Sequence, residues 1–177
     1  KVFLVDTNYK IIRNINFPSK EVNKKVLNAN FKILIKDFKK VKKVLFCSVV
    51  PKSFDFIKKF LLKKTSYKCY EIKDLNLKSL INLNVNYKQI GSDRLTNAIS
   101  LLDNKNNYII LDLGTATTFD VLIKKTYKGG VIAPGIKISL NTLSDKATLI
   151  PKINLKKISK VVGIDTVSAV RSGFFWG

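Results

Sequence analysis

Two carboxylates sit where this chain could do chemistry. In Asp112-Leu113-Gly114-Thr115-Ala116-Thr117-Thr118, an acid is followed by a glycine that lets backbone N–H groups approach a ligand, and then by three hydroxyls. That set suits an anion or a phosphate with its counter-cation, because backbone donors face the oxygens while the carboxylate holds the metal. The same residues also suit a plain tight hairpin with threonines at strand positions. In Gly91-Ser92-Asp93-Arg94, the acid follows a glycine at the expected start of a helix. There Asp93 could take a proton from a substrate hydroxyl while Arg94 and the helix N-terminus hold an anionic group. Phosphoryl transfer asks little of such a base, since its transition state is loose and positioning dominates. On spacing alone the more ordinary reading is a helix-capping acid paired with Arg94.

Composition narrows the field. With no histidine, Ser-His and Cys-His nucleophile pairs and imidazole zinc sites are excluded. Neither Gly-x-x-x-x-Gly-Lys-Ser/Thr nor Gly-x-Gly-x-x-Gly occurs. Cys47 and Cys69 stand apart, without zinc or disulfide spacing. The net charge of +21 invites a nucleic-acid reading, but only Arg13, Arg94 and Arg171 are arginines and the lysines are spread among asparagines and isoleucines. This reads as a compositional bias with lysine on the solvated surface, and the densest run, residues 36–43, is interrupted by Phe38 and Val41. No apolar run reaches membrane-spanning length and no signal-peptide pattern opens the chain, so a cytoplasmic protein is expected. The chain lacks methionine even at its start, and a fragment of a longer protein is expected.

The elements that must carry these residues follow from periodicity. Residues 2–5 and 11–16 form a β-hairpin about an Asx-type turn at Asp6-Thr7-Asn8. Ser19 caps a helix running through Val22, Leu27, Phe31 and Phe38. Residues 44–50 read as a buried, parallel strand ended by Pro51, then Ser53 caps a helix over 54–62 and residues 68–72 form a strand. The polar stretch 73–90 is a candidate linker. A helix starts near Ser92, and strands 109–113 and 118–123 flank the turn Gly114-Thr115-Ala116. Tyr127-Lys128-Gly129-Gly130 turns into a third strand, 131–133, and helices follow over 136–149 and 165–174. Alternating strands and helices make an α/β layer architecture. Phe174, Phe175 and Trp176 leave an apolar cluster at the terminus that calls for a cover.

Gly91-Ser92-Asp93-Arg94-Leu95-Thr96-Asn97-Ala98, then Asp112 to Asp120, then Gly129-Gly130-Val131-Ile132-Ala133-Pro134-Gly135-Ile136, resemble the type III pantothenate kinases in order and spacing. Cys47-Ser48-Val49-Val50-Pro51, Val162-Gly163-Ile164-Asp165-Thr166 and Ser172-Gly173 fit further family segments, so nearly the whole chain is covered. The resemblance implies a duplicated ribonuclease H-like fold of the hexokinase and actin superfamily, truncated at both ends. Residues 1–80 would be a first subdomain lacking its first strand, and residues 81–177 a second, C-terminally incomplete one with the pantothenate and cation site.

It also implies ATP-dependent phosphorylation of pantothenate, on the way to coenzyme A, in a homodimer. Asp93 would be the general base, with Gly91, Ser92 and Arg94 beside it on pantothenate. Thr166 would complete that pocket at the dimer interface. Asp112 would bind a monovalent cation, K+ or NH4+, and Thr115 would face ATP, which brings Mg2+. The family's Asp-x-Gly-Asn-Thr phosphate loop would precede Lys1, and its members extend beyond Gly177. Asn84 stands where many members carry a substrate-contacting tyrosine, and Ser92 and Asp165 replace the commoner alanine and asparagine. Two rival readings are a non-catalytic relative that regulates transcription, its charge supplying DNA affinity, and another kinase or phosphohydrolase of the same superfamily.

Overall fold

A short acidic side chain makes the first turn. In the computed structural model, which describes residues 1–18, 21–35 and 41–177, Asp6 Oδ1 accepts the backbone N–H groups of Asn8 and Lys10, both at 2.8 Å. This Asx turn joins β1 (Val2–Val5) to β2 (Ile11–Ile15) as an antiparallel pair. The next helix, α1 (Lys24–Ile35), starts later than the periodicity suggests. Its first turn is capped by Asn23, whose Oδ1 accepts the Val26 N–H at 2.9 Å. The expected cap, Ser19, and residues 36–40 of the lysine run, Phe38 among them, lie outside the described residues.

The strand expected over residues 44–50 is shorter and more exposed. β3 (Lys43–Phe46) pairs in parallel with β4 (Lys68–Glu71), its one partner among the described residues, and Leu45 is left 58% exposed. Beyond Phe46, Ser48 Oγ accepts the Val50 N–H at 3.2 Å and bends the chain out of the strand direction. Helix α2 (Pro51–Lys64) then begins at a proline and not at a Ser53 cap, since fixed φ and a missing N–H cost nothing at a first helical position. Leu27, Phe31 and Leu61 form the core of this part, with Val2, Leu4, Val44, Phe46 and Phe60 packed against it.

The stretch expected as a linker is packed through its apolar residues. Two 3-10 turns, Ile72–Asp74 and Leu77–Ser79, precede β5 (Asn82–Leu83), and Leu77, Ile81 and Ile90 are buried. The chain divides into two compact units, residues 1–80 with 89–96 and residues 81–88 with 97–177. Helix α3 (Ser92–Ser100) contributes residues 92–96 to the first and 97–100 to the second.

The second unit is built on a four-stranded sheet in the order β5-β8-β7-β6, from β6 (Asn107–Leu113), β7 (Ala116–Ile123) and β8 (Thr126–Pro134). β6, β7 and β8 run antiparallel and β5 joins β8 in parallel. The hairpin expected between residues 109 and 123 is present, with Leu113 opposite Thr117. The turn into the third strand is not at the glycines. Ile123 faces Thr126 across Lys124-Lys125, with Lys124 at φ 51°, and Gly129-Gly130 lies inside β8. Pairing shifts there, with Leu122 opposite Tyr127 and Val121 opposite Gly129, so that Lys128 is an extra residue. This β-bulge places Gly129 at φ 109°, open to glycine and strained for any side chain. One sheet face remains apolar and open to solvent, with Ile109 74% and Val131 63% exposed.

Helices α4 (Ile136–Lys146) and α5 (Thr166–Trp176) complete the unit. Asp165 caps α5 by accepting the Ser168 N–H at 2.9 Å, and Ser168 Oγ returns a bond to the Asp165 backbone N–H. None of the helices among the described residues is long and apolar enough to cross a membrane.

Beneath the sheet's other face, Asp120 is fully buried and its Oδ1 accepts the Tyr127 hydroxyl at 2.5 Å. Removing one partner of a buried hydrogen bond leaves the other short of a contact it cannot replace from solvent. Tyr127→Phe is therefore expected to cost about 2 kcal/mol, or roughly 4–8 °C in Tm for a chain of this size. An unchanged melting temperature would show that the carboxylate is held by its other surroundings alone.

Candidate functional site

The candidate residues fall into two sets, one in each unit. In the first, Gly91 to Arg94 form one continuous segment at the entrance to α3. Asp93 is the acid of the first helical turn and is exposed, and its Oδ1 accepts the Arg94 backbone N–H at 2.8 Å. Negative charge there is favoured by the helix dipole. Gly91 leaves room for that carboxylate, since a Cβ on it would lie 2.4 Å from Asp93 Oδ1. Any side chain at this position would push the acid aside.

Ser92 points the opposite way. It is buried, and its hydroxyl donates to Glu71 Oε1 at 2.8 Å. Nearby, the Cys47 Sγ and the Thr96 Oγ1 lie 3.5 Å apart. The thiol is held above its ordinary range first by partial burial, then, against the Thr96 hydrogen bond, by the carboxylates of Asp93 and Glu71. A thiol so placed stays protonated at neutral pH and is a poor nucleophile. Within the segment Gly91 to Arg94, the exposed Asp93 carboxylate is the acceptor a substrate hydroxyl could reach.

The second set lies on the β6–β7 hairpin. Asp112 sits next to last in β6, exposed, and its Oδ2 accepts the Asn97 amide at 3.3 Å. Asp112 and Thr118 are cross-strand partners, so their side chains share one face of the sheet. Thr118 Oγ1 is buried and has no hydrogen-bond partner among the described residues. A carboxylate beside an unsatisfied hydroxyl oxygen is an all-oxygen donor pair, the kind a hard cation takes. Groups of three or more His, Cys, Asp or Glu able to hold a metal are absent among the described residues.

Thr115 is exposed at the hairpin tip, and its carbonyl accepts the Gly135 N–H at 3.0 Å. A cavity of about 400 Å³ adjoins this tip. It is lined by Leu113, Gly114 and Thr117, by Ile136, Lys137, Leu140 and Asn141 of α4, and by Ile153, Asn154 and Leu155. Its volume lies in the range of small-molecule sites, and its walls combine apolar surface with one ammonium and two carboxamides. Thr166 opens α5 and is exposed, while the neighbouring Asp165 is held below the usual carboxylate range first by the Ser168 backbone N–H and then by its hydroxyl. Asn84 is exposed just after β5, where its N–H donates to Tyr127 O at 3.0 Å.

Sequence reasoning missed Glu71, Lys73, Asn97 and the part of the cavity lining that comes from α4 and residues 153–155. Asn97 was within reach, because residues four apart share a helix face and it follows Asp93 by that interval. Glu71 and Lys73 carried no signal, since they lie at the end of β4 and in the 3-10 turn after it, far along the chain from the segment they touch.

Comparison with known proteins adds an independent line. The sequence model of a family described as type III pantothenate kinase matches residues 3–177. A type III pantothenate kinase of Pelagibacter ubique is 58% identical over 177 residues, covering 100% of this chain and 71% of that protein. One from Geotalea daltonii is 34% identical over 144 residues, covering 80% of this chain and 56% of its own. The chain thus spans little more than half of the more distant relative. A solved conserved protein from Campylobacter jejuni, provisionally described as a Baf family transcriptional activator, is 20% identical with a TM-score of 0.43, covering 78% of this chain and 62% of that one.

Proposed function

Because the chain belongs to the type III pantothenate kinase family, a family of phosphotransferases, we propose that the protein transfers the γ-phosphoryl group of ATP to the hydroxyl of pantothenate. The observation that carries this reading is the 58% identity over all 177 residues, which include the segments around Asp93, Asp112 and Gly135. Asp93 accepts the proton of the pantothenate hydroxyl as the oxygen attacks phosphorus. Its exposure, and the space Gly91 leaves for its carboxylate, support that role. Gly91, Ser92 and Arg94 bind pantothenate with it, Ser92 through its backbone, since its hydroxyl is committed to Glu71. Thr166 completes the pocket in a homodimer.

Thr115 faces ATP, a placement supported by the cavity beside the hairpin tip and by Lys137 in its wall. Asp112, with the Thr118 hydroxyl, would hold a monovalent cation, K+ or NH4+, supplying positive charge to the phosphates during transfer. Mg2+ enters with ATP and is held largely by the phosphates themselves. The finer architecture we propose is the duplicated ribonuclease H-like fold, with residues 1–80 in the first subdomain and 81–177 in the second, in a cytoplasmic enzyme.

The test is an assay of the intact protein for phosphopantothenate formation from ATP, with and without potassium. Turnover that rises with potassium is the expected result. Salt-sensitive binding to duplex DNA without any turnover would overturn the proposal in favour of a regulator.

A further inference from the structure

We propose that Glu71 and Lys73 are positioning residues for pantothenate phosphorylation, clamping the backbone on both sides of Gly91 so that the Asp93 carboxylate is presented in one place. The inference rests on the reading of Asp93 as general base.

The two side chains come from the end of β4 and the 3-10 turn that follows it, and they reach either flank of the substrate segment. Lys73 Nζ donates to the Ile90 carbonyl at 2.8 Å, fixing the peptide that leads into Gly91. Ser92 Oγ donates to Glu71 Oε1 at 2.8 Å, fixing the residue that follows. Glu71 is itself oriented, because its second oxygen accepts the Lys73 backbone N–H as the cap of the 3-10 turn. The pair therefore works as one unit, with Glu71 holding the turn that carries Lys73.

Burial makes these bonds count. Ile90 and Ser92 are 6% and 3% exposed, and Glu71 and Lys73 are half-buried, so water is a poor substitute for a lost partner. Glycine is the residue least able to hold its own backbone conformation, and Gly91 sits between the two clamped positions. A flexible link needed for the clearance of the Asp93 carboxylate is thus stiffened by its neighbours. General-base catalysis gains from such stiffening, since small displacements of the acceptor cost large factors in rate.

The experiment measures kcat and both KM values in the intact protein for Lys73→Met, Lys73→Arg, Glu71→Gln and the Lys73→Met/Glu71→Gln double variant, with Asp93→Asn alongside. Lys73→Met keeps the aliphatic stem but loses the donor, and is expected to lower kcat/KM for pantothenate about ten- to hundredfold, the loss of one charge-assisted bond, with KM for ATP unchanged. Lys73→Arg should recover most of this. The double variant should fall short of the product of the single effects, as expected of groups acting together. If Lys73→Met and Glu71→Gln leave kcat/KM for pantothenate unchanged while Asp93→Asn abolishes turnover, the clamp is refuted and the base assignment stands. If Asp93→Asn retains full rate, the base assignment falls first. Parallel losses in kcat/KM for both substrates, tracking a lowered Tm, would also refute positioning and leave a structural role. Should Lys73→Met fail to fold, Glu71→Gln decides alone, because it preserves size but has one acceptor oxygen and cannot take both the Ser92 hydroxyl and the Lys73 N–H.

Discussion

Asp93→Asn is expected to lower kcat about 10²–10⁴-fold while leaving the protein folded, the range for removal of a general base. The substitution is well suited to the question because the carboxylate's recorded structural contact survives it. Asp93 Oδ1 accepts the Arg94 N–H at 2.8 Å, and an asparagine carbonyl can accept the same bond. What is lost is basicity, along with a charge that favours the α3 N-terminus by about 0.3–1 kcal/mol. The melting temperature should fall by no more than about 4 °C. Because phosphoryl transfer leans on positioning more than on proton abstraction, a result near the lower end of the range would still mark Asp93 as the base. An unchanged rate, measured with saturating ATP, would return Asp93 to the role of a first-turn helix acid.

Gly135→Ala is expected to have the largest effect on stability, and to reach the proposed ATP site through the backbone. A Cβ at Gly135 would lie 2.3 Å from the Gly114 carbonyl oxygen and 2.5 Å from that of Thr115. Both are backbone atoms of the hairpin tip, so relief requires moving the turn itself. Forced overpacking of this kind costs about 1–3 kcal/mol, which for a chain of this size is roughly 2–12 °C in Tm. The displaced turn should also raise KM for ATP, with KM for pantothenate little changed. Thermal melts and steady-state kinetics on the same preparation test both parts. A variant that melts and turns over like the parent would mean that the tip yields freely, and would remove the reason to place ATP against Thr115.

How much of this was legible beforehand depended on whether the determining interaction was local. The first hairpin was readable because Asp6 makes its own turn, and the β6–β7 hairpin because two β-branched runs flank a glycine. Asp165 was placed within one residue of the helix it caps. The misplaced turns have a common cause. Gly129-Gly130 looked like a chain reversal, but the reversal fell on Lys124-Lys125, where cross-strand pairing overrides the reluctance of lysine to adopt positive φ. Likewise residues 44–50 read as one apolar run broken only by Ser48, yet with a single β-partner among the described residues only Lys43–Phe46 is strand. At the candidate site, Asp93 and Asp112 were visible as acids next to glycine, whereas Glu71 and Lys73 were not. Their bonds to Ser92 and Ile90 join positions 17 to 21 residues apart, and no local pattern reports them.

The extra residue in β8 sets a limit on how this family member can drift. Side chains of a regular strand alternate between faces, so Tyr127 and Ile132, five positions apart, would lie on opposite faces were it not for the extra residue Lys128 between them. The bulge thus lets Tyr127 reach Asp120 inside the molecule while Ile132 lies across from Thr118 on the same side. Substitutions along this ribbon can accumulate one at a time and Lys128 itself can be lost with every pair kept, but a further residue added between Thr126 and Pro134 has to be taken up by a second bulge or matched by a loss within the same few residues.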